Sequence, residues 1–261
     1  SPGGRVKGGP TGGGGGRGIR VAAPGGTIEI STPRFVDAAG PFLNPVASLL
    51  GLELPVFSEL HLKVSVEDHL GVVPRDAPLL IWEDPQVIGW SDEVLELLEA
   101  ADETRMLVGE MPAGVHTRPE GGGGSRHIII LWPYHAERTA EVFPLPLPEH
   151  YAEVCVRGLA TMLPGMDVYR ERLPRPFIDG GYYTKTSENR PLIGPVGPRG
   201  SFVVGALSGY GVMAAPAAGE LAARHALGLE LPDYSRFLAP DRYTDPAYRE
   251  VLDRMSDQGQ L

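Results

Sequence analysis

An apolar stretch without charged residues, 202–219, constrains the fold more than any other part of the sequence. Its length alone would suffice to cross a bilayer. Five of its residues are glycine or proline, however, and Ser208 and Tyr210 also interrupt the apolar run. A buried strand, a tight turn and the start of a helix explain this pattern better than a membrane span does. We therefore expect no membrane-spanning segment here.

A strand–turn–helix unit follows from the order of these residues. Phe202–Ala206 is typical of a buried strand, Leu207–Gly211 of a sharp turn, and a helix is expected from Gly211 to Leu227, with Gly228 ending it. Such a turn presents unpaired N–H groups and the positive end of the helix dipole, and its glycines let a planar ligand approach the backbone. The pattern fits a site that stabilises negative charge, and equally a turn packed tightly for steric reasons alone.

The remainder of the chain mixes short strands with helices and shows no regular alternation, which predicts an α+β fold. Residues 1–18 are glycine-rich and are expected to be flexible, because they offer little surface to bury against the entropy of ordering. The middle of the chain, about residues 55–145, has the short apolar runs of an antiparallel sheet. We predict a hairpin at 19–30, strands at 34–38, 61–66, 79–82, 87–90, 106–110, 127–131, 182–186, 192–194 and 202–205, and helices at 44–50, 91–101, 149–163, 211–227 and 245–255.

Several classes of protein are disfavoured by composition and motif. The formal charge of −10 offers no basic stripe for nucleic acid, and the single cysteine, Cys155, permits neither an internal disulfide nor a cysteine-based metal site. Gly13-x-Gly15-x-x-Gly18 follows no strand and opens no helix, so we treat it as chance. No Gly-x-Ser-x-Gly or His-Glu-x-x-His motif supports a hydrolase. We predict an intracellular, cytoplasmic protein with no metal site.

Four segments occur in an order that identifies a family. They are Phe35–Phe42 (FVDAAGPF), Asn189–Pro195 (NRPLIGP), Phe202–Val212 (FVVGALSGYGV) and Gly219–Leu221 (GEL). Together they resemble the D-amino-acid oxidase superfamily of FAD-dependent oxidoreductases, which includes sarcosine oxidase and glycine oxidase. The resemblance extends from about residue 19 to residue 228, and the joint order of the segments is more specific than any one of them.

The resemblance implies an antiparallel substrate domain together with the C-terminal part of an FAD-binding α/β domain. Residues 19–51 and 175–261 would belong to the FAD-binding domain and residues 52–174 to the substrate domain. The Gly-x-Gly-x-x-Gly half of the family's FAD-binding domain would precede residue 1, supplied by a partner chain or omitted. The implied activity is oxidation of the C–N bond of a small amine or amino acid by hydride transfer to flavin. A non-catalytic binding or scaffold subunit that retains the fold is the alternative.

The resemblance also assigns a cofactor loop over the pyrimidine edge of the flavin. Some sarcosine oxidases tether FAD through a cysteine where this chain has Gly181, so the flavin is expected to be non-covalent. Sarcosine oxidase has a lysine where Met213 stands, and this difference leaves the electron acceptor open. The residues implied to bind the cofactor are Ala39, Gly40, Gly181, Ser208, Gly209, Tyr210, Gly211, Val212 and Met213.

Three residues are the candidates for contact with the substrate. Tyr183 aligns with a carboxylate-binding arginine of glycine oxidase, so a substrate carboxylate would lose its bidentate partner. His116 and Trp132, together with Tyr134, are expected to line the pocket, because strands of this domain face the flavin in relatives. The competing interpretation makes His116 a solvated loop residue and the two aromatic residues part of the core.

Overall fold

The computed structural model describes residues 5–8 and 18–254, and these residues fold into two compact units. Among the described residues, unit 1 comprises 5–8, 18–59, 138–141 and 182–254, and unit 2 comprises 60–137 and 142–181. The sequence places the domain boundaries at 51/52 and 174/175, whereas the units divide at 59/60 and 181/182. The fold is α+β, as the sequence predicts.

A three-stranded antiparallel sheet opens unit 1. Its strands are β1 (Arg5–Gly8), β2 (Gly18–Ala23) and β3 (Gly26–Ser31), in the order β1-β2-β3. The hairpin predicted for residues 19–30 is therefore present. Strand β1 lies inside the segment that is predicted to be flexible. It forms by backbone pairing with β2, which needs no apolar side chains. Residues 1–4 and 9–17 of that segment lie outside the described residues.

A second sheet of unit 1 has the order β11-β12-β4 and carries the uncharged stretch. Its strands are β4 (Phe35–Asp37), β11 (Leu192–Pro195) and β12 (Ser201–Gly205). Strand β12 pairs antiparallel with β11 and parallel with β4. The short helix α1 (Leu43–Ala47) continues as a 3₁₀ turn and ends at the left-handed Gly51, close to the predicted helix 44–50. These elements enclose an apolar core of Leu43, Ala47, Leu54, Leu192, Val203 and Ala206.

Unit 1 ends in one long helix and a C-terminal segment. Helix α5 (Gly211–Leu227) has the predicted bounds, and the left-handed Gly228 caps its C-terminus. Two 3₁₀ segments follow, Asp233–Phe237 and Pro240–Thr244. Helix α6 (Pro246–Leu252) then begins where Asp245 accepts a hydrogen bond from the Ala247 amide at 2.9 Å. Residues 255–261, which include the end of the predicted tail helix, lie outside the described residues.

A larger sheet contains the strands β5 (Phe57–Glu67), β6 (Leu80–Trp82), β7 (Val115–Pro119), β8 (His127–Leu131), β9 (Arg138–Thr139) and β10 (Phe177–Lys185). Their order is β10-β5-β8-β7-β6, with β9 paired to β5. In the long strand β5 every second residue is buried, which is the pattern that the alternation at 61–66 predicts. Helix α3 (Tyr151–Met162) ends where residues 164–167 form a 3₁₀ turn, and α4 (Val168–Glu171) follows that turn. Helix α2 (Asp92–Ala100) lies between β6 and β7 in the chain.

Two predicted strands, 87–90 and 106–110, are absent from the sheet. Gln86 and Met111 exchange backbone hydrogen bonds of 3.0 and 2.7 Å, but this is an isolated bridge. On one side of it Pro85 and Pro112 lack the N–H groups that would continue a ladder. Part of the second segment, Arg105–Leu107, forms a 3₁₀ turn instead.

Candidate cofactor site

The loop between β12 and α5 contains unusual backbone conformations. Ala206 and Ser208 have positive φ angles of 55° and 48°, and Asn189 on a neighbouring turn has φ of 55°. Among the described residues, these are the non-glycine residues with positive φ. A left-handed conformation is costly for residues that carry a Cβ, and such residues concentrate at functional sites. We call residues 206–213 the cofactor loop.

Contacts from two neighbouring segments hold the cofactor loop. The Ser208 amide donates to the Thr184 carbonyl at 3.1 Å, and its hydroxyl donates to the Asn189 side-chain oxygen. The Tyr210 hydroxyl donates to the Asn189 carbonyl at 3.2 Å. At Gly209 a Cβ atom would lie 2.7 Å from Cζ and 2.9 Å from the hydroxyl oxygen of Tyr183. The absence of a side chain at Gly209 therefore makes room for the Tyr183 ring. The loop contacts residues 183–184 on one segment and Asn189 on the other.

The start of helix α5 presents a group of free backbone donors. The helix has no side-chain cap, and its first backbone acceptor, the Tyr210 carbonyl, receives the Ala214 amide at 3.0 Å. Within the part of the chain that the structure describes, no acceptor is seen for the amides of Gly209, Gly211, Val212 and Met213. The side chains of Val212 and Met213 are 93% and 80% exposed. With the positive end of the helix dipole, these amides favour an anionic or strongly accepting group.

The turn after β4 lies at the same edge of the sheet as the cofactor loop. Strands β4 and β12 are parallel, so their carboxyl ends, at Asp37 and Gly205, meet at one edge. Ligands of open α/β sheets bind outside this edge. Gly40 has a φ of 58°, and a Cβ there would meet no atom within 4 Å. The turn that contains Ala39 and Gly40 is thus open on its outer side.

Asp37 is an unusual carboxylate at this edge. It is 2% exposed, one side-chain oxygen accepts from the Ala39 amide at 3.2 Å, and the buried Oδ2 has no partner among the described residues. The elements packed against β4 include β12 (SFVVG) and α1 (LNPVA), which carry no charged side chains. Burial raises the pKa of Asp37 from 3.8 to about 6, against the opposing hydrogen bond from Ala39.

The remaining predicted residues lie in unit 2. A Cβ at Gly181 would meet nothing within 4 Å. His116, on β7, is half-buried, and its Nδ1 lies 2.8 Å from the Gly114 carbonyl oxygen. Trp132 is fully buried, and its indole N–H donates to the Pro112 carbonyl at 3.0 Å. A Cβ at Gly158 of α3 would overlap the Trp132 ring. This packing makes Trp132 a core residue of unit 2, and its role at a substrate pocket stays a prediction.

An aromatic cluster in unit 2 contains polar atoms without partners. The Tyr134 hydroxyl and both ring nitrogens of His135 are buried and make no hydrogen bond among the described residues. The two rings meet edge to face, with centroids 4.9 Å apart. Burial, together with the charges of His61 and His150, lowers the pKa of His135 to about 4, so the imidazole is neutral at neutral pH.

The structure brings part of the predicted set together and adds residues to it. Unit 1 gathers Tyr183 and residues 208–213 around one loop, and the turn at Ala39 and Gly40 shares the sheet edge. Asn189 and Asp37 were not singled out from the sequence, although both stand inside the segments that carry the family resemblance. His135 had no signal in the sequence, because only burial distinguishes it from a surface histidine.

A turn-to-helix amide cluster at the carboxyl edge of a sheet is typical of a site for a phosphate-bearing or electron-accepting cofactor. The family model for FAD dependent oxidoreductase matches residues 3–225, and the chain belongs to this family. No curated protein sequence matches it. Among the described residues no helix combines the length and apolar character needed to cross a bilayer, and no three potential metal ligands cluster.

Solved structures share the fold at low sequence identity. The chain is similar to L-proline dehydrogenase from P. horikoshii (TM-score 0.62, 18% identity, 92% of this chain and 54% of that one). It is also similar to glycine oxidase from Geobacillus kaustophilus (TM-score 0.55, 18% identity, 84% of this chain and 48% of that one). Amadoriase I from Aspergillus fumigatus aligns with 100% of this chain and 53% of its own (0.61, 14%). The chain therefore spans about half the length of these structures.

Proposed function

We propose that this chain forms part of an FAD-dependent oxidoreductase that oxidises the C–N bond of a small amine or amino acid. The observation that carries the proposal is the set of free amides at the start of α5, next to a loop held in a left-handed conformation. The family match supports FAD as the cofactor. When bound, FAD supplies the ring that accepts electrons from the carbon beside the substrate nitrogen.

The residues of unit 1 fit such a cofactor in three ways. The amides of Gly211, Val212 and Met213 can donate to an acceptor that gains negative charge, with no reorganisation during the reaction. Gly40 leaves open space beside the backbone. The unpartnered Oδ2 of Asp37 is a buried polar atom that a bound group could satisfy.

Non-covalent attachment of the cofactor is part of the proposal. Gly181 has no side chain to form a bond. Cys155 is completely buried in α3, and burial raises the pKa of its thiol to about 12 despite a hydrogen bond from Tyr151. The thiolate, which is the reactive form, is therefore scarce at neutral pH.

The substrate side is proposed on fewer contacts. Burial raises the pKa of Tyr183, so its phenol stays protonated and can donate a hydrogen bond next to the cofactor loop. A neutral donor suits an amine, or a carboxylate held without a full ion pair. His116 and Trp132 remain candidates for the pocket in unit 2.

We further propose that a dinucleotide-binding half, in another segment or a partner chain, completes the enzyme. The support is the match to about half the length of the related structures. The alternative, a non-catalytic scaffold that keeps the fold, is supported by Met213 and Tyr183, which stand where the resemblance places charged side chains of relatives.

A visible absorbance spectrum tests the proposal. We expect the chain together with its dinucleotide-binding half to be yellow, to carry the flavin bands in the blue, and to bleach when a small amine or amino acid is added without oxygen. The chain alone should bind FAD weakly. A complete complex that is colourless and takes up no FAD would favour the scaffold, whereas a yellow complex that no amine or amino acid bleaches would reject the proposed substrate class.

A further inference from the structure

The C-terminal segment of unit 1 wraps onto the turn that holds the cofactor loop. We call residues 233–252 the strap. The family match ends at residue 225, so the strap lies outside it. The strap is tied to β11, because the Ile193 amide donates to the Leu238 carbonyl at 2.8 Å. Leu238 and Leu207 of the cofactor loop also pack against the same apolar cluster.

Arg242 is the centre of the strap. Its side chain is 1% exposed, and it donates to Oε1 of Glu188 from Nε at 3.1 Å and from Nη2 at 2.8 Å. The same guanidinium donates to the carbonyls of Pro191 at 2.9 Å and Arg190 at 3.3 Å. A planar fork can serve these acceptors together, whereas a lysine ammonium cannot reproduce that geometry.

Glu188 collects further donors from the strap. The hydroxyls of Tyr243 and Tyr248 donate to its Oε1 at 2.7 and 3.1 Å. Burial raises the pKa of Glu188, but the hydrogen bonds from Tyr243 and Arg242 outweigh burial and hold the pKa below its ordinary value. Removing one partner of such a buried ion pair is costly, because the other charge is left buried and uncompensated.

The turn at 186–191 connects this ion pair to the cofactor loop. Asn189 follows Glu188 directly and is itself left-handed. Its amide donates to the Thr186 carbonyl at 3.0 Å, and the Thr186 hydroxyl accepts from the Arg190 amide at 2.9 Å. From this position Asn189 receives the hydroxyls of Ser208 and Tyr210. The contacts are continuous from Arg242 to the loop.

We propose that Arg242 is a positioning residue: through Glu188 and Asn189 it holds the cofactor loop in the left-handed conformation that leaves the amides of α5 free. The ligand of that loop rests on the proposed function, whereas the mechanical link from the strap to the loop does not.

Amide hydrogen exchange of the full chain, followed by mass spectrometry, tests the link. The loop amides that have an acceptor are those of Ser208, bonded to the Thr184 carbonyl, and Tyr210, bonded to the Leu207 carbonyl. The substitution Arg242→Lys should make exchange of these two amides about tenfold faster, since a charge-assisted hydrogen bond is lost. Exchange in strand β8 of unit 2 should not change. Arg249→Lys is the matched control: Arg249 also lies in the strap, but its side chain donates to the Tyr243 carbonyl at 2.8 Å and not to the turn. The control should leave residues 206–213 as in the wild type.

Two further variants keep the link testable if the Arg242→Lys variant fails to fold, and they also test the path itself. Tyr243→Phe removes one donor to Glu188 and should accelerate exchange of the loop in the same direction, by less. Asn189→Gly keeps access to positive φ but removes the oxygen that receives Ser208. It should loosen the loop without changing exchange in the strap, and combining it with Tyr243→Phe should add little, because both act on one path.

The outcomes separate the two proposals. Faster exchange confined to residues 233–252, with the cofactor loop unchanged in Arg242→Lys and Tyr243→Phe, would overturn the positioning role. If the loop loosens as expected but the complete complex takes up no FAD, the positioning role stands and the proposed function fails. If FAD binds, its affinity should be lower in the variants whose loop amides exchange faster. Equal FAD affinity in the wild type and Arg242→Lys would contradict a link between the strap and cofactor binding.

Discussion

The substitution Asp37→Asn is expected to raise the free energy of unfolding, relative to the wild type, by more at pH 8 than at pH 4. The difference between the two pH values should be at most about 3 kcal/mol. The pKa of Asp37 is raised in the folded chain to about 6 from an ordinary value of 3.8, because its carboxyl is buried at the end of β4. A carboxyl with a raised folded pKa supports the fold below its unfolded pKa, and this support is lost as the pH rises through the folded pKa. Asparagine keeps the oxygen that accepts from Ala39 and carries no charge to bury.

Denaturant unfolding of wild type and Asp37→Asn between pH 4 and pH 8 measures this difference. The stability gap should open between about pH 4 and pH 6 and stay constant above it. Asp84→Asn, at an exposed position, is the control, and the gap for Asp37→Asn should change with pH by more than the gap for this control. A gap for Asp37→Asn that does not change with pH would show that the pKa of Asp37 is the same in the folded and the unfolded chain, and it would contradict the raised pKa.

Replacing Gly209→Ala is expected to weaken FAD binding to the complete complex about ten- to hundredfold, the equivalent of about 1–3 kcal/mol of overpacking. The new Cβ would fall within 3 Å of the Tyr183 ring, so the ring or the loop must move. The loop cannot shift freely, because Ser208 is bonded to Thr184 and Asn189. A shifted loop would misdirect the amides at the start of α5. The sequence alone suggests another reason for this glycine, the approach of the ligand itself.

Titration with FAD, followed by flavin fluorescence, measures the loss. Gly219→Ala is the matched control, since a Cβ there meets nothing within 4 Å on α5, and it should bind FAD like the wild type while gaining about 0.5–1 kcal/mol of stability. The double variant Gly209→Ala with Tyr183→Leu should recover part of the affinity, because the smaller side chain makes room for the Cβ. Wild-type affinity in Gly209→Ala would place the loop outside the cofactor site.

Local sequence patterns were sufficient to predict most of the helices and strands. The bounds of α5 and its glycine cap follow from one apolar run and one stop signal, and both are as predicted. The central strands were found from alternation and from short β-branched runs. The two absent strands, 87–90 and 106–110, show the limit of this approach, because a short apolar run does not reveal whether a partner strand can pair with it. Beyond the single bridge of Gln86 and Met111, residues 87–90 and 106–110 form no ladder, and part of the second segment turns into a 3₁₀ helix instead.

The sequence by itself determined the family, the α+β class and the turn into α5, since these depend on residue types that are near each other along the chain. Only the tertiary structure decided which residues hold that turn. Ser208 meets Asn189 across 19 positions and Arg242 meets Glu188 across 54. It also decided that Asp37 is buried, with one oxygen unpaired among the described residues, while Val212 and Met213 are exposed. Burial and long-range hydrogen bonds are properties of packing between distant segments, and no local pattern encodes them.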